Sequence, residues 1–70
     1  MVIDYFPHNL RLCRKRKHLR QEDMAEILNI GRQTYCNYEN GQRMPDFDIL
    51  LEISDILDVS LDILLRQKMR

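Results

Sequence analysis

The chain has 70 residues, of which 44% are hydrophobic and 31% charged, and its 11 basic and 11 acidic residues cancel. A chain of this length forms one small domain with about 3–5 kcal/mol of net stability, which excludes a large enzyme with a deep cleft between lobes. Only 2 Gly and 2 Pro, with an ordinary apolar fraction, also exclude a disordered or collagen-like chain. We therefore expect residues 1–70 to fold as a single domain.

The basic residues are concentrated in the first part of the sequence. Residues 1–43 hold 8 Lys and Arg against 5 Asp and Glu, whereas residues 44–70 hold 3 against 6. The densest group is Arg11, Arg14, Lys15, Arg16, Lys17 and Arg20. A polyanion would meet this part of the chain, although such a run is also typical of an ordinary solvated helix face.

No segment of the sequence has the pattern of a targeting or membrane-spanning element. The N-terminus lacks a basic stretch followed by an apolar run, and no apolar run approaches the ~20 residues that span a bilayer. Cys13 and Cys36 do not make a secreted disulfide framework. We expect a cytoplasmic protein with reduced thiols and no membrane association.

The hydrophobic periodicity predicts five helices and no strand, so the expected fold class is all-α. Pro7 suits the first turn of the first helix, Asn29 and Gly41 favour helix ends, and Asp46 is the expected N-cap of the fourth helix. The predicted ranges are about 7–17, 21–28, 32–40, 47–57 and 61–69. Five helices in 70 residues indicate a small helical bundle.

Only three residues, Asn29, Ile30 and Gly31, connect the second and third predicted helices. Asn29 accepts a left-handed backbone conformation, and Gly31 is an acceptable N-cap for the next helix. A short turn whose middle residue is apolar and turned inward is typical of the helix-turn-helix unit. This connection is the first feature that indicates a function.

Four short motifs occur together in register along residues 6–66. They are Leu10-Arg11-x-Cys13-Arg14, Leu19-x-Gln21-x-x-Met24-Ala25, Tyr35-x-x-Tyr38-Glu39-Asn40-Gly41-x-Arg43-x-Pro45, and Leu57-x-Val59-Ser60-Leu61-Asp62-x-Leu64. With these motifs the sequence resembles the phage-repressor-like helix-turn-helix family, also called the xenobiotic response element family. The resemblance implies a compact five-helix lambda-repressor-like fold and a bacterial or phage transcriptional regulator, in particular a repressor, that binds double-stranded DNA.

The resemblance places base contacts on the exposed face of the third helix, at Arg32, Gln33 and Asn37. Helical spacing supports this placement, because residues 33 and 37 lie one turn apart on the same side and Arg32 adjoins them. In the major groove Arg pairs with guanine, and Gln or Asn pairs with adenine, at about 1–3 kcal/mol per good pair. Without the preceding turn, the same side chains would suit an ordinary solvated face.

Four other positions match places where the family contacts the DNA backbone. They are Gln21, Thr34, Asn40 and Arg43. Each suits a phosphate by its hydrogen-bonding group, and Gln21 is also favoured by the positive end of the second helix. Three alternatives stay open: N-terminal capping for Gln21, an inner cap for Thr34, and neutralisation of Asp46 by Arg43.

Arg14 and Glu39 match two positions that the family often pairs internally, across the first and third helices. We therefore predict a structural ion pair, and we do not count Arg14 as a DNA ligand. Removal of one partner would leave a partly buried charge, which costs more than an exposed pair contributes. Arg11, Lys15 and Arg16 are then the better candidates for non-specific attraction to DNA.

Three isoleucines, Ile49, Ile56 and Ile63, are predicted to form a dimer surface. They cannot all share the expected core stripe of the fourth helix, which consists of Phe47, Leu50, Leu51, Ile53 and Leu57. An exposed apolar patch of this kind would suit a twin subunit. The alternative is that the fifth helix covers these residues within one chain.

The sequence offers little other chemistry. His8, His18, Cys13 and Cys36 lack metal-ligand spacing, and no Gly-rich phosphate loop or catalytic set is present. We expect no metal, no cofactor and no enzymatic activity. The sequence therefore predicts a sequence-specific regulator that binds double-stranded DNA as a homodimer, with a protein-interaction module such as an antitoxin of a toxin–antitoxin pair as the alternative. That alternative would have a protein partner and little affinity for DNA.

Overall fold

The computed structural model describes residues 5–70 and contains five α-helices in that range. They are α1 (Phe6–Arg16), α2 (Gln21–Leu28), α3 (Arg32–Asn40), α4 (Phe47–Leu57) and α5 (Leu61–Arg66). No strand occurs among the described residues, and the predicted all-α class is confirmed. None of these helices has the length and apolar character that crossing a bilayer requires.

Side chains and backbone conformations define the helix ends. The Asp46 carboxylate accepts the N–H of Ile49 at 2.9 Å, and the Ser60 hydroxyl accepts the N–H of Ile63 at 3.2 Å, so α4 and α5 both begin with a side-chain cap. Gly41 ends α3 with a φ of 78°, in the left-handed region that glycine adopts without steric cost. The predicted bounds of α2 and α3 are confirmed residue for residue.

The fifth helix is shorter than predicted, since α5 ends at Arg66 and not near Met69. Asn9 of α1 is fully buried, and its amide donates to the carbonyls of Leu64 at 3.0 Å and Gln67 at 2.6 Å. Its carbonyl oxygen in turn accepts the N–H of Met69 at 3.4 Å. The Asn9 amide thus takes the Leu64 carbonyl, which the N–H of Lys68 would use in a further turn, and the chain becomes extended at Gln67.

A single apolar core joins the five helices. The prediction that Phe47 and Leu51 belong to it is wrong, since 65% and 42% of their surfaces are exposed. At 100° per residue, the buried side chains of α4 share one face, whereas Phe47 and Leu51 fall to one side of that face. The core residues are Phe6, Leu10, Cys13, Met24, Ala25, Leu28, Tyr35, Tyr38, Leu50, Ile53, Leu57 and Leu64.

The contacts between the helices leave one face of α3 exposed to solvent. α1 packs against α3 and α5, α2 packs against α3 and α4, and α4 packs against α5. α3 meets α1 and α2 through the buried side chains of Tyr35, Tyr38 and Glu39. The opposite side of α3 therefore faces solvent.

Candidate nucleic-acid interface

The turn between α2 and α3 is fixed by backbone hydrogen bonds and by one apolar anchor. Asn29 is left-handed with a φ of 56°, and the N–H of Ile30 donates to the carbonyl of Ala25 at 3.0 Å. The Ile30 side chain is half-buried and packs against the core. Gly31 is extended, and its carbonyl accepts the N–H of Tyr35 at 3.1 Å. The start of α3 is thereby held at a fixed angle to α2.

The recognition edge, defined as Arg32, Gln33 and Asn37, lies on the free side of α3. Arg32 and Gln33 are exposed and Asn37 is half-buried. The Gln33 amide donates to the Asn37 carbonyl oxygen at 3.0 Å, so the two amides lie side by side. This bond leaves the Gln33 oxygen and the Asn37 NH₂ group available, and these are the donor and acceptor types that adenine edges require.

Two tyrosines fix the opposite side of α3 in the core. Tyr35 is fully buried and Tyr38 is 5% exposed, and their rings meet edge to face with centroids 6.2 Å apart. Such ring pairs have a preferred geometry and add to the apolar burial. Because both rings are held, rotation of α3 about its own axis is restricted, and the recognition edge keeps its outward direction.

The residues predicted to contact phosphates surround α3 at different depths. Asn40 and Arg43 are exposed, whereas Gln21 and Thr34 are half-buried. The loop after α3 folds back on the helix, since the N–H of Arg43 donates to the Asn37 carbonyl at 3.3 Å. Within residues 5–70 no salt bridge joins Arg43 to Asp46, so the guanidinium is not committed to that carboxylate.

The carboxylate of Glu39 connects α1, α2 and α3. Its side chain is fully buried and accepts Arg14 Nε at 2.6 Å and Arg14 Nη2 at 3.1 Å. The Tyr35 hydroxyl donates to the same carboxylate at 2.6 Å. Arg14 also donates from Nη1 to the carbonyl of Leu19 at 2.8 Å, which attaches the α1–α2 turn to these side chains. We call Glu39, Arg14 and Tyr35 the Glu39 cluster. Arg14 and Glu39 are thus an internal ion pair in the structure.

Burial and hydrogen bonding within the Glu39 cluster shift the pKa values of all three of its members. Burial alone would raise the pKa of Glu39, but the hydrogen bonds from Arg14, Tyr35 and Gln21 outweigh it and hold the pKa below its usual range. The hydrogen bond to Glu39 raises the pKa of Arg14 despite its burial. Burial, followed by the hydrogen bond to Glu39, raises the pKa of Tyr35. Glu39 and Arg14 are therefore charged and Tyr35 is neutral near neutral pH.

Gln21 lies at the edge of this cluster, at the first residue of α2. Its amide nitrogen donates to Glu39 Oε1 at 3.1 Å, and its oxygen accepts the Cys36 thiol at 3.2 Å. Arg11, half-exposed, brings its Nε to 3.5 Å from the same Glu39 oxygen. The sequence did not predict these contacts. The i,i+4 spacing of Tyr35 and Glu39 was the one available signal, because it places the two side chains on the same face of α3.

The three isoleucines of the predicted dimer surface have unequal exposure. Ile49 and Ile56 are half-buried and pack against the core, and Ile63 is 36% exposed. Other apolar side chains are more exposed in the same half of the chain, in particular Phe47 and Leu51 on the other flank of α4. The structure therefore offers two apolar flanks on α4 and not one.

Comparison with known proteins agrees with this geometry. The family model described as helix-turn-helix matches residues 10–64. The chain is 54% identical over 61 residues to the uncharacterized HTH-type transcriptional regulator YqaE of Bacillus subtilis, an alignment that covers 87% of this chain and 53% of that protein. It is 43% identical over 56 residues to the HTH-type transcriptional regulator ImmR of B. subtilis, covering 80% and 44% respectively.

A phage repressor is also among the relatives. The chain is 36% identical over 54 residues to the cryptic phage CTXphi transcriptional repressor RstR of Vibrio cholerae, covering 74% of this chain and 48% of that protein. The chain thus spans about half the length of the curated relatives that it matches. The residues that the family model matches, 10–64, include the turn, the recognition edge and the Glu39 cluster.

Proposed function

This chain belongs to the xenobiotic response element family of helix-turn-helix proteins, and we propose that it binds double-stranded DNA in a sequence-specific manner and regulates transcription, as a repressor. The observation that carries the proposal is the recognition edge of α3. It joins two amide side chains and an arginine on a helix whose opposite side is fixed in the core. We infer that residues 1–70 act as one DNA-binding domain without enzymatic activity, metal or cofactor.

In this proposal α3 enters the major groove with its N-terminal half leading. Gln33 and Asn37 pair with base edges, and Arg32 reaches a neighbouring guanine from the first turn of the helix. Gln21 and Thr34 lie in the first turns of α2 and α3, Asn40 is the last residue of α3, and Arg43 lies in the loop that follows it. We infer that these four residues hold the phosphates on either side of the groove, which sets the register of the base contacts.

We propose that the protein binds DNA as a homodimer. Its formal net charge is zero, so long-range attraction of a single copy to DNA is modest. Two copies related by a two-fold axis would bind half-sites about one helical turn apart, ~34 Å. The proposed contact surface is Ile49, Ile56 and Ile63, of which Ile63 is the most accessible. Because DNA is the proposed partner, we infer that this bacterial or phage protein acts in the cytoplasm, at the nucleoid.

Light scattering tests the dimer. We expect a molecular mass near twice that of the 8.5 kDa chain at tens of micromolar. Ile63→Ser should shift the equilibrium towards monomer, and Phe47→Ser on the other flank of α4 is the matched control. A strictly monomeric parent protein would contradict the proposed dimer. Dissociation by Phe47→Ser alone would move the interface to the other flank.

Selection from a random duplex library tests the DNA-binding proposal. The enriched sequence is then titrated by fluorescence anisotropy at two salt concentrations. We expect one enriched motif, and an affinity that falls as salt rises, because cations on the DNA are released on binding. If no sequence is enriched above non-specific binding, the proposal is wrong, and a protein partner becomes the object of search.

A further inference from the structure

We propose that Cys36 is a positioning residue for DNA binding, whose thiol fixes the orientation of the Gln21 amide so that its free N–H donates to a phosphate. This inference rests on the proposed function and adds to it a residue of α3 outside the recognition edge. It starts from two short contacts of one side chain, 3.1 Å to Glu39 and 3.2 Å to Cys36.

The two contacts determine which way the amide of Gln21 is turned. Glu39 is held in its charged form by the hydrogen bonds that it accepts, so only an N–H group can face it. The Gln21 nitrogen must therefore point at Glu39, which leaves the oxygen to accept a donor. The Cys36 thiol is that donor. A reversed amide would place its oxygen against a carboxylate and its NH₂ group against a weak acceptor.

This orientation leaves one amide hydrogen of Gln21 available. Of its two N–H groups, one is used by Glu39, and no other group in residues 5–70 accepts the second. Gln21 is half-buried, so part of the side chain is open to solvent at the first residue of α2. An N–H group held in a fixed direction there suits a phosphate oxygen, because a side chain that is already held loses less entropy on binding.

Cys36 also connects the two helices of the turn. Its side chain belongs to α3, next to Asn37 of the recognition edge, and its hydrogen bond crosses to α2. The thiol therefore links the phosphate contact at α2 to the helix that contacts bases. Cys36 is half-buried and contributes no base contact in this proposal, so its effect on DNA is transmitted through Gln21.

A double-mutant cycle on the enriched duplex tests the proposal. The proteins are the parent, Cys36→Ala, Gln21→Ala and the double variant, with Cys36→Ser as the matched control because it keeps a donor on the same carbon. Cys36→Ala should weaken the affinity about two- to fivefold, the lower end for a neutral hydrogen bond, because a thiol is a weak donor. Cys36→Ser should recover most of that loss. In the Gln21→Ala background, Cys36→Ala should have no further effect.

Thermal unfolding of the same variants separates positioning from a purely structural role. We expect Cys36→Ala and the parent to have similar midpoints, because the thiol is only half-buried. The proposal is overturned if Cys36→Ala binds DNA as tightly as the parent. It is equally overturned if Cys36→Ala reduces the affinity by the same factor in the Gln21→Ala background as in the parent. It is also overturned if the loss of affinity follows the loss of thermal stability.

The parent protein distinguishes failure of this proposal from failure of the proposed function. If the parent binds no duplex selectively, the DNA-binding proposal fails and the role of Cys36 in DNA binding fails with it. If the parent binds and the double-mutant cycle shows no coupling, DNA binding stands and only the role of Cys36 is rejected.

Discussion

The first three helices and the last two are stabilised by different kinds of interaction. α1, α2 and α3 meet at the buried carboxylate of Glu39, which accepts hydrogen bonds from Arg14, Tyr35 and Gln21. α4 and α5 begin with capping side chains and pack through aliphatic residues such as Ile53 and Leu64, both fully buried. Within residues 5–70 no buried ion pair occurs in α4 or α5.

The two kinds of interaction suit the different roles of the two groups of helices. Aliphatic packing depends on volume and tolerates small rotations of a helix, whereas a carboxylate with several donors fixes directions. The recognition edge is useful only if α3 keeps its rotation and its angle to α2. A directional polar cluster beneath α3 provides this, and α4 and α5 cover the rest of the core.

Loss of the Glu39 carboxylate should have the largest effect on stability. Glu39→Ala leaves the Arg14 guanidinium, the Tyr35 hydroxyl and the Gln21 amide without their acceptor, and we expect a loss of about 3–5 kcal/mol in the free energy of unfolding. This loss is as large as the whole net stability expected for a chain of this size, so Glu39→Ala should be mostly unfolded. Circular dichroism of the variant without denaturant, compared with urea denaturation of the parent, measures the effect. Glu52→Ala, an exposed glutamate of α4, is the control, with an expected change within about 0.5 kcal/mol. Equal effects would contradict a special role of the Glu39 cluster.

A cavity in the aliphatic packing of α4 and α5 should reduce the free energy of unfolding somewhat less than Glu39→Ala does. It should leave the base preferences of DNA binding unchanged. Ile53→Ala removes a fully buried side chain, for which we expect about 2–4 kcal/mol. Leu51→Ala in the same helix should change stability far less, because 42% of Leu51 is exposed. At a temperature where Ile53→Ala is still folded, its base preferences should equal those of the parent. Altered preferences would show that α4 also orients α3.

Low pH should destabilise the folded protein by protonating Glu39. The pKa of Glu39 is lowered in the folded protein, so the unfolded chain binds the proton more readily as the pH falls. Its contribution is complete above the ordinary carboxyl pKa, about 4.3, and is lost as the pH falls through the lower folded value. The thermal unfolding midpoint should therefore fall when the pH drops below about 4–5. Glu39→Gln should have a lower midpoint at pH 7, and its midpoint should change less with pH than that of the parent. The same dependence of the midpoint on pH in Glu39→Gln and in the parent would contradict the role of Glu39.

The smallest expected effect concerns a cation at the margin of the cluster. Arg11 is 48% exposed at the side chain, and its Nε lies 3.5 Å from Glu39 Oε1, next to the Gln21 amide. We expect Arg11→Ala to leave base preference unchanged and to reduce the salt slope of DNA binding by about 0.9, the value for one lost phosphate contact. Lys68→Ala, near the end of the chain, should not change the slope. An unchanged slope for Arg11→Ala would remove Arg11 from the interface.

The sequence predicted the elements better than the contacts. The bounds of α2 and α3 followed from Asn29, Gly31 and Gly41, because helix ends are a local property of the backbone. The length of α5 did not, since it depends on Asn9, more than 50 positions away in the chain.

Phe47, Leu51 and Cys36 show where local patterns fail. Apolar character predicts Phe47 and Leu51 in the core, but the core face of α4 is narrow and leaves them outside. Cys36 carried no signal of its partnership with Gln21, because that contact exists only once α2 and α3 are packed. The family resemblance, supported by helical spacing, thus predicted which side chains form the recognition edge, whereas the groups that hold its surroundings could be found only in the tertiary structure.

The most direct test of DNA recognition by α3 is the base-preference profile of three proteins, measured by selection from one random library. Gln33→Ala should relax a single position of the motif and leave the others unchanged. Arg43→Ala should weaken binding to all sequences alike, as expected for a phosphate contact. If Gln33→Ala keeps the preferences of the parent at every position, α3 does not read the major groove through its recognition edge.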